Sequence, residues 1–204
     1  MFRDRKEAGQ RLARALVQYR DEPVVVFALP RGGVALGVEI ARFLNAPLDL
    51  IVVRKIGHPM QPEYAIGAVA EDGYVVWGTD ELGTNDDQWR HQAVMTEQQE
   101  AQRRRALFLL DRVPVTVTDK TAIIVDDGLA TGLTMRAAIH EVRKRGPKKI
   151  VAASPVAAVE TAERIRPEVD ELVVLHMPEW FGAVGAFYEH FDQLTDEEVA
   201  ALLK

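Results

Sequence analysis

Apolar positions along the chain fall into two alternating kinds of segment. Residues 4–19 place Ala8, Leu12, Ala15, Leu16 and Tyr19 at helical spacing, and Pro23 ends that helix. Residues 24–29 form a short, continuously apolar run rich in β-branched side chains, which predicts a buried strand. Pro30, Arg31, Gly32 and Gly33 break it, and residues 34–44 return to helical periodicity. Residues 48–53 predict a second buried strand, followed by Arg54-Lys55 and a loop holding Gly57, Pro59 and Pro62. Residues 64–70 and 74–77 flank Glu71-Asp72-Gly73, and an Asp-Gly step between two apolar runs predicts a hairpin. Residues 85–110 predict a long polar helix, with Glu100 and Arg104 at i and i+4. A third strand is predicted over 122–125, then a helix over 133–145 stopped by Gly146-Pro147. A fourth strand over 150–153, a short helix over 157–164 and a fifth strand over 172–175 follow. The last helix, 196–203, has Thr195 and Glu198 at capping-box spacing.

Continuously apolar strands that alternate with helices predict an α/β fold. Its mainly parallel central sheet carries helices on both faces. The 204 residues suit a single domain with a small hood or appendage, for which the helix over 85–110 and the segment 176–204 are the candidates. Ligands of such sheets bind at the carboxyl ends of the strands. The informative loops are therefore those after Leu29, Val53, Val125, Ala153 and Leu175.

Composition narrows the chemistry. The chain has no cysteine, which excludes a disulfide scaffold, a thiolate metal site and a cysteine nucleophile. Its net charge of −6 argues against a partner gripped by its nucleic-acid backbone. The charged start has no apolar stretch of signal-peptide length, and no apolar run approaches the ~20 residues of a membrane span. The expectation is a soluble, cytoplasmic protein with no membrane partner.

The loop after Val125 carries the strongest chemical signal. Residues 123–134 read IIVDDGLATGLT: a buried strand, two acids, a small-residue loop, then a helix. A helix start offers unpaired N–H groups and partial positive charge, which suit a phosphate. Small residues admit a ligand close to the backbone, and Thr131 and Thr134 can add hydroxyl donors. Two carboxylates just before this cradle suit vicinal hydroxyls of a ribose, or a divalent cation. The plainer alternative is a helix cap and a glycine turn. A P-loop does not fit, because Leu133 stands where its lysine belongs.

This run resembles the phosphoribosyl pyrophosphate (PRPP) motif of type I phosphoribosyltransferases. The resemblance implies that Asp126 and Asp127 hold the ribose hydroxyls. It gives the 5′-phosphate to Ala130, Thr131, Gly132, Leu133 and Thr134, with Gly128 a further substrate-binding residue. It assigns pyrophosphate to the loop of Arg31, Gly32 and Gly33, often built on a strained peptide bond, where the alternative is an ordinary turn. Arg54-Lys55 would meet the leaving group, with residues 56–63 as a mobile loop. Their alternative is a solvated basic pair. After the last strand, Phe181 matches an aromatic that stacks on a base, and Glu189 matches an acid that helps hold a metal. Aromatic core filling is the alternative there. The implied cofactor is Mg²⁺, with Asp126, Asp127 and Glu189 as its candidate ligands. His58 in the 56–63 loop is open to a general-acid or metal role or to a solvent-facing one, and the other histidines show no metal-ligand spacing.

The resemblance also departs from one branch. Enzymes acting on 6-oxopurines carry an aspartate within this loop, where Ala130 stands here. The implied function is transfer of ribose 5-phosphate from PRPP to a nitrogenous acceptor, a nucleobase, with release of pyrophosphate. The implied catalytic residues are Asp126, Asp127, Arg54 and Lys55, and a homodimer is the implied assembly. The alternatives are a regulatory protein that only senses PRPP, and an enzyme that passes the ribosyl group to a different acceptor.

Overall fold

The computed structural model describes residues 1–78, 87–109, 113 and 115–203, the side chain of Glu63 excepted. Helix α1 (Arg5–Ala15) starts at Asp4, whose carboxylate accepts from the Glu7 N–H at 2.7 Å. A 3-10 turn at Val17–Tyr19 ends this segment. Next come β1 (Val24–Ala28), α2 (Gly32–Leu44), β2 (Leu48–Leu50), β3 (Val53–His58), β4 (Gln61–Ala70) and β5 (Val75–Trp77). Then follow α3 (Asp87–Leu109), β6 (Thr121–Val125), α4 (Leu133–Lys144) and β7 (Lys149–Val156). The chain closes with α5 (Val159–Ile165), β8 (Glu171–His176) and α6 (Asp196–Leu202). Thr195 and Glu198 form the reciprocal capping box of α6.

The central sheet has five parallel strands in the order β2-β1-β6-β7-β8. Every residue of β1 and β6 is buried, which is why these runs are apolar without alternation. Their side chains still divide between two faces. Val25, Phe27 and Ile124 pack with Met135 and Ile139 of α4 and Ile165 of α5. Val24, Val26 and Ile123 pack with Leu12 of α1 and Leu36 and Ile40 of α2. Two helical layers therefore cover the sheet, as the residue pattern predicts.

The strand order has a consequence for function. From β1 the chain steps outward to β2, then returns to lay β6 against the other side of β1. The connections leave the carboxyl ends of β1 and β6 in opposite directions, and such a reversal opens a crevice there. Residues 29–33 and 126–132 flank that crevice.

The structure corrects the predicted second strand. The run over 48–53 does not stay in one sheet: β2 ends at Leu50, and Val53 begins β3 of a separate three-stranded antiparallel sheet, β3-β4-β5. Ile51 and Val52 are buried at the crossing, so their apolarity hides the change of sheet. Arg54 and Lys55 accordingly lie within a strand, not in a loop beyond one. The predicted mobile loop over 56–63 is the tip of the β3–β4 hairpin, paired from Ile56–Gly67 to His58–Gln61 with a register shift at Gly57. Gly57 is required there, since a β-carbon would stand 2.3 Å from the Pro62 carbonyl oxygen.

The one predicted hairpin forms between β4 and β5, with Gly73 at φ +87° in its turn. The long polar helix is α3, and its predicted residues 85, 86 and 110 lie outside the described residues. It packs on β3, β4 and α6, burying Ala101, Phe108 and Leu109. The Glu100–Arg104 pair forms at 2.7 Å. Among the described residues no helix is long and apolar enough to cross a membrane.

Candidate functional site

A cleft of about 550 Å³ opens at the crevice between β1 and β6. Pro30, Arg31 and Gly32 line it from β1, and Asp126, Asp127, Gly128, Ala130, Thr131, Gly132 and Thr134 from β6. Arg54 and Lys55 reach it from β3. Eleven of the residues predicted for the site thus share one wall-to-wall space. The Pro30–Arg31 peptide bond is cis.

The two loops touch directly. A β-carbon on Gly32 would stand 1.9 Å from Oδ2 of Asp127, and one on Gly33 would stand 2.6 Å from the Val125 carbonyl oxygen. Both glycines therefore let the first loop and α2 approach the acidic pair. Gly33 is buried behind the lining, as is Leu133, whose side chain belongs to the core. Leu133 can offer the cleft its backbone and nothing more.

The acids are arranged asymmetrically. Oδ1 of Asp126 accepts from the Asp127 N–H at 2.9 Å. Oδ2 of Asp127 accepts from Nε of Arg5 at 2.8 Å. The second oxygen of each carboxylate takes no hydrogen bond among the described residues. Burial, and then the Asp127 charge beside it, push Asp126 well above the usual carboxylate range. Tyr188 donates its hydroxyl to the Asp127 carbonyl at 2.6 Å. Burial also raises the Tyr188 phenol, so it stays a neutral donor.

Beyond the acids, Gly132 turns the chain at φ +77° into α4, which starts with no side-chain cap. Among the described residues the N–H groups of Thr131, Gly132, Leu133 and Thr134 have no protein acceptor. Four free donors at the positive end of a 12-residue helix are the groups that could take up an anion.

Most of the cleft's cations already hold protein carboxylates. Arg54 donates to Glu97 at 2.9 Å, Arg104 to Glu100 at 2.7 Å, and Arg31 lies 3.8 Å from Asp196. Lys55 is exposed and makes no ion pair among the described residues.

Besides Gly33 and Leu133, two more predicted residues are not brought to the cleft lining. Phe181 packs against Phe187 with ring centroids 5.3 Å apart. Glu189 is exposed, and its N–H donates to the Phe2 carbonyl at 2.9 Å. Both follow β8 as expected, but the tail turns at Val184–Phe187 and sends other side chains inward.

Those side chains are Val184, Phe191, Gln193 and Leu194, joined by Arg5 and Arg104. Residue spacing did not reveal them. One signal was available for Arg5: a cation at the first position of a helix opposes the helix dipole, so it calls for a separate partner.

The donor set bears on Mg²⁺. Among the described residues no three His, Asp or Glu side chains cluster as a metal site. Asp126 and Asp127 each keep one free oxygen, and Mg²⁺ commonly binds through one or two carboxylates, water and substrate phosphates. Asp126 and Asp127 are thus the residues that could hold such an ion, and Glu189 lies outside the cleft lining.

Residues 2–191 match the model of the phosphoribosyl transferase domain. The chain belongs to that family. Two Mycobacterium tuberculosis proteins, from strains CDC 1551 and H37Rv and provisionally named phosphoribosyl transferases, are each 44% identical over 205 residues. The match takes in 100% of this chain and 46% of each relative, so the chain spans about half their length. The crystal structure of TT1426 from Thermus thermophilus is similar at TM-score 0.81 and 40% identity, covering 100% of this chain and 97% of that one. A Neisseria gonorrhoeae protein, solved with bound ppGpp, shares the fold at TM-score 0.54 and 15% identity, covering 100% and 97%.

Proposed function

We propose that the protein binds PRPP in this cleft and transfers its ribose 5-phosphate to a nitrogen acceptor of the nucleobase class, releasing pyrophosphate. The observation that carries the reading is the pair of free oxygens on Asp126 and Asp127, set beside the free N–H groups of residues 131–134. Neighbouring carboxylates with one open oxygen each match two vicinal hydroxyls. The helix start beyond them, lining the same cleft, matches a phosphate.

The steps follow from charge. The N–H groups ahead of α4 fix the 5′-phosphate, and Asp126 and Asp127 fix the ribose face. Lys55, Arg54 and Arg31 face the diphosphate. Breaking the glycosidic bond leaves positive charge on the ribose ring and sends an electron pair to the leaving pyrophosphate, as in other glycosyl cleavages. Cations placed where that negative charge develops lower the barrier. Mg²⁺ bound with the diphosphate would add to that neutralisation. The acceptor nitrogen attacks C1′ from the opposite face and then loses its proton. Holding two substrates in line is worth up to about 7–11 kcal/mol.

The test is PRPP consumption and pyrophosphate release against a panel of purine and pyrimidine bases. Stoichiometric pyrophosphate with one base supports the transferase. Tight PRPP binding without turnover on any base supports a sensor, and turnover without a base supports a different acceptor.

A further inference from the structure

One oxygen of the proposed ribose site is set by a residue 122 positions away in sequence. Arg5 opens α1, and its guanidinium has three fixed contacts. Nε donates to Oδ2 of Asp127 at 2.8 Å, Nη1 donates to the Asp192 carbonyl at 2.7 Å, and the group lies 3.8 Å from the Phe191 ring centroid. The Arg5 and Asp127 side chains are 12% and 14% exposed. A planar fork held at three points has little freedom left.

Asp127 is confined from other directions as well. Its N–H donates to Asp126 and its carbonyl accepts from Tyr188, which fixes the backbone. Gly32 lies against the carboxylate on the side facing the first loop. Turning the carboxylate over would break a charge-assisted bond, the stronger class of hydrogen bond. An exposed ion pair would do little of this, but this pair is shielded and ends on a residue of the site.

We propose that Arg5 is a positioning residue for ribose recognition: by clamping Oδ2 of Asp127 it presents Oδ1, beside the free oxygen of Asp126, to the two hydroxyls. The inference rests on the PRPP reading above. Arg5 acts through Asp127 and takes no part in the reaction. Its loss should therefore weaken ligands that carry ribose and spare those that do not.

Calorimetric titration of the whole chain with PRPP, ribose 5-phosphate and inorganic pyrophosphate tests this. Arg5→Gln keeps much of the side chain's bulk and removes its charge. It should weaken PRPP and ribose 5-phosphate by about tenfold or more and leave pyrophosphate binding as it was. Arg5→Lys, which restores charge without the fork, should recover part of the loss. Equal weakening of all three ligands would mean a merely structural role and overturns the clamp, as does unchanged binding of the ribose ligands. Should Arg5→Gln fail to fold, Arg5→Lys carries the same comparison, with a smaller loss confined to the ribose ligands. Wild-type protein that binds neither ribose ligand overturns the PRPP reading itself, a result distinct from failure of the clamp.

Discussion

Gly32 and Asp127 meet across the cleft so closely that a β-carbon on Gly32 would stand 1.9 Å from Oδ2 of the carboxylate. The atom in the way is the end of a side chain, so the fold can yield by moving Asp127. That movement breaks the bond to Arg5. Gly32→Ala should therefore cost little stability, within about 1 kcal/mol, and much PRPP affinity. Thermal melts and calorimetry on the same sample check this. A variant that binds PRPP like wild type would show that the acid's position does not matter.

Lys55 is the exposed cation of the cleft that pairs with no carboxylate among the described residues. It is thus the group most ready to meet a diphosphate. Lys55→Ala should lower turnover by about a hundredfold, the range for losing one donor to developing negative charge. Glu97→Gln should act oppositely on ground-state binding. It releases Arg54 from its 2.9 Å pair, and pyrophosphate should bind more tightly. Single-turnover kinetics and pyrophosphate titration read the two effects separately.

A buried charge cluster ties the small sheet to the rest of the molecule, and it should make stability depend on pH. Asp49, Glu71 and Glu141 face Arg105 and Arg145: three carboxylates against two guanidiniums. One carboxylate is in excess. Burial, and then the Glu141 charge, push Glu71 up to about 8 from 4.5. The folded state then holds a proton that the unfolded chain has released between these two values. Stability from this group is full below pH 4.5, declines as pH rises, and is lost above about 8. Denaturant melts at pH 6 and pH 9 should differ by about 1–3 kcal/mol, the range for a buried group left unsatisfied. Glu71→Gln should flatten that difference. An unchanged slope in the variant would place the proton elsewhere.

The central sheet was legible because full burial leaves a continuous apolar run in its inner strands, as at residues 122–125, and Gly-Pro or a capping box marks helix ends. The acidic pair and the phosphate loop were legible because they are contiguous in the chain. The departure of the chain at Ile51–Val52 was not, since a buried crossing has the same composition as a buried strand. Phe181 and Phe191 are both aromatic and both follow β8, so the sequence does not tell them apart. Which one turns inward depends on the turn at Val184–Phe187 and on Gly185, where a β-carbon would meet the Phe191 ring at 2.9 Å. Arg5 was hidden for another reason. Its partners are 122 and 187 residues away, and its place at the start of α1 signals a partner without saying which.

The claim that matters most is that Asp126 and Asp127 are a ribose site and not a structural cap. Calorimetric titration of PRPP into wild-type protein and Asp127→Asn, with melting temperature recorded for both, tests it most directly. The account predicts a saturable PRPP site in wild type, a large loss of affinity in Asp127→Asn, and a melting temperature that changes little. A wild type that does not bind PRPP, or an Asp127→Asn variant that binds as tightly, would contradict it.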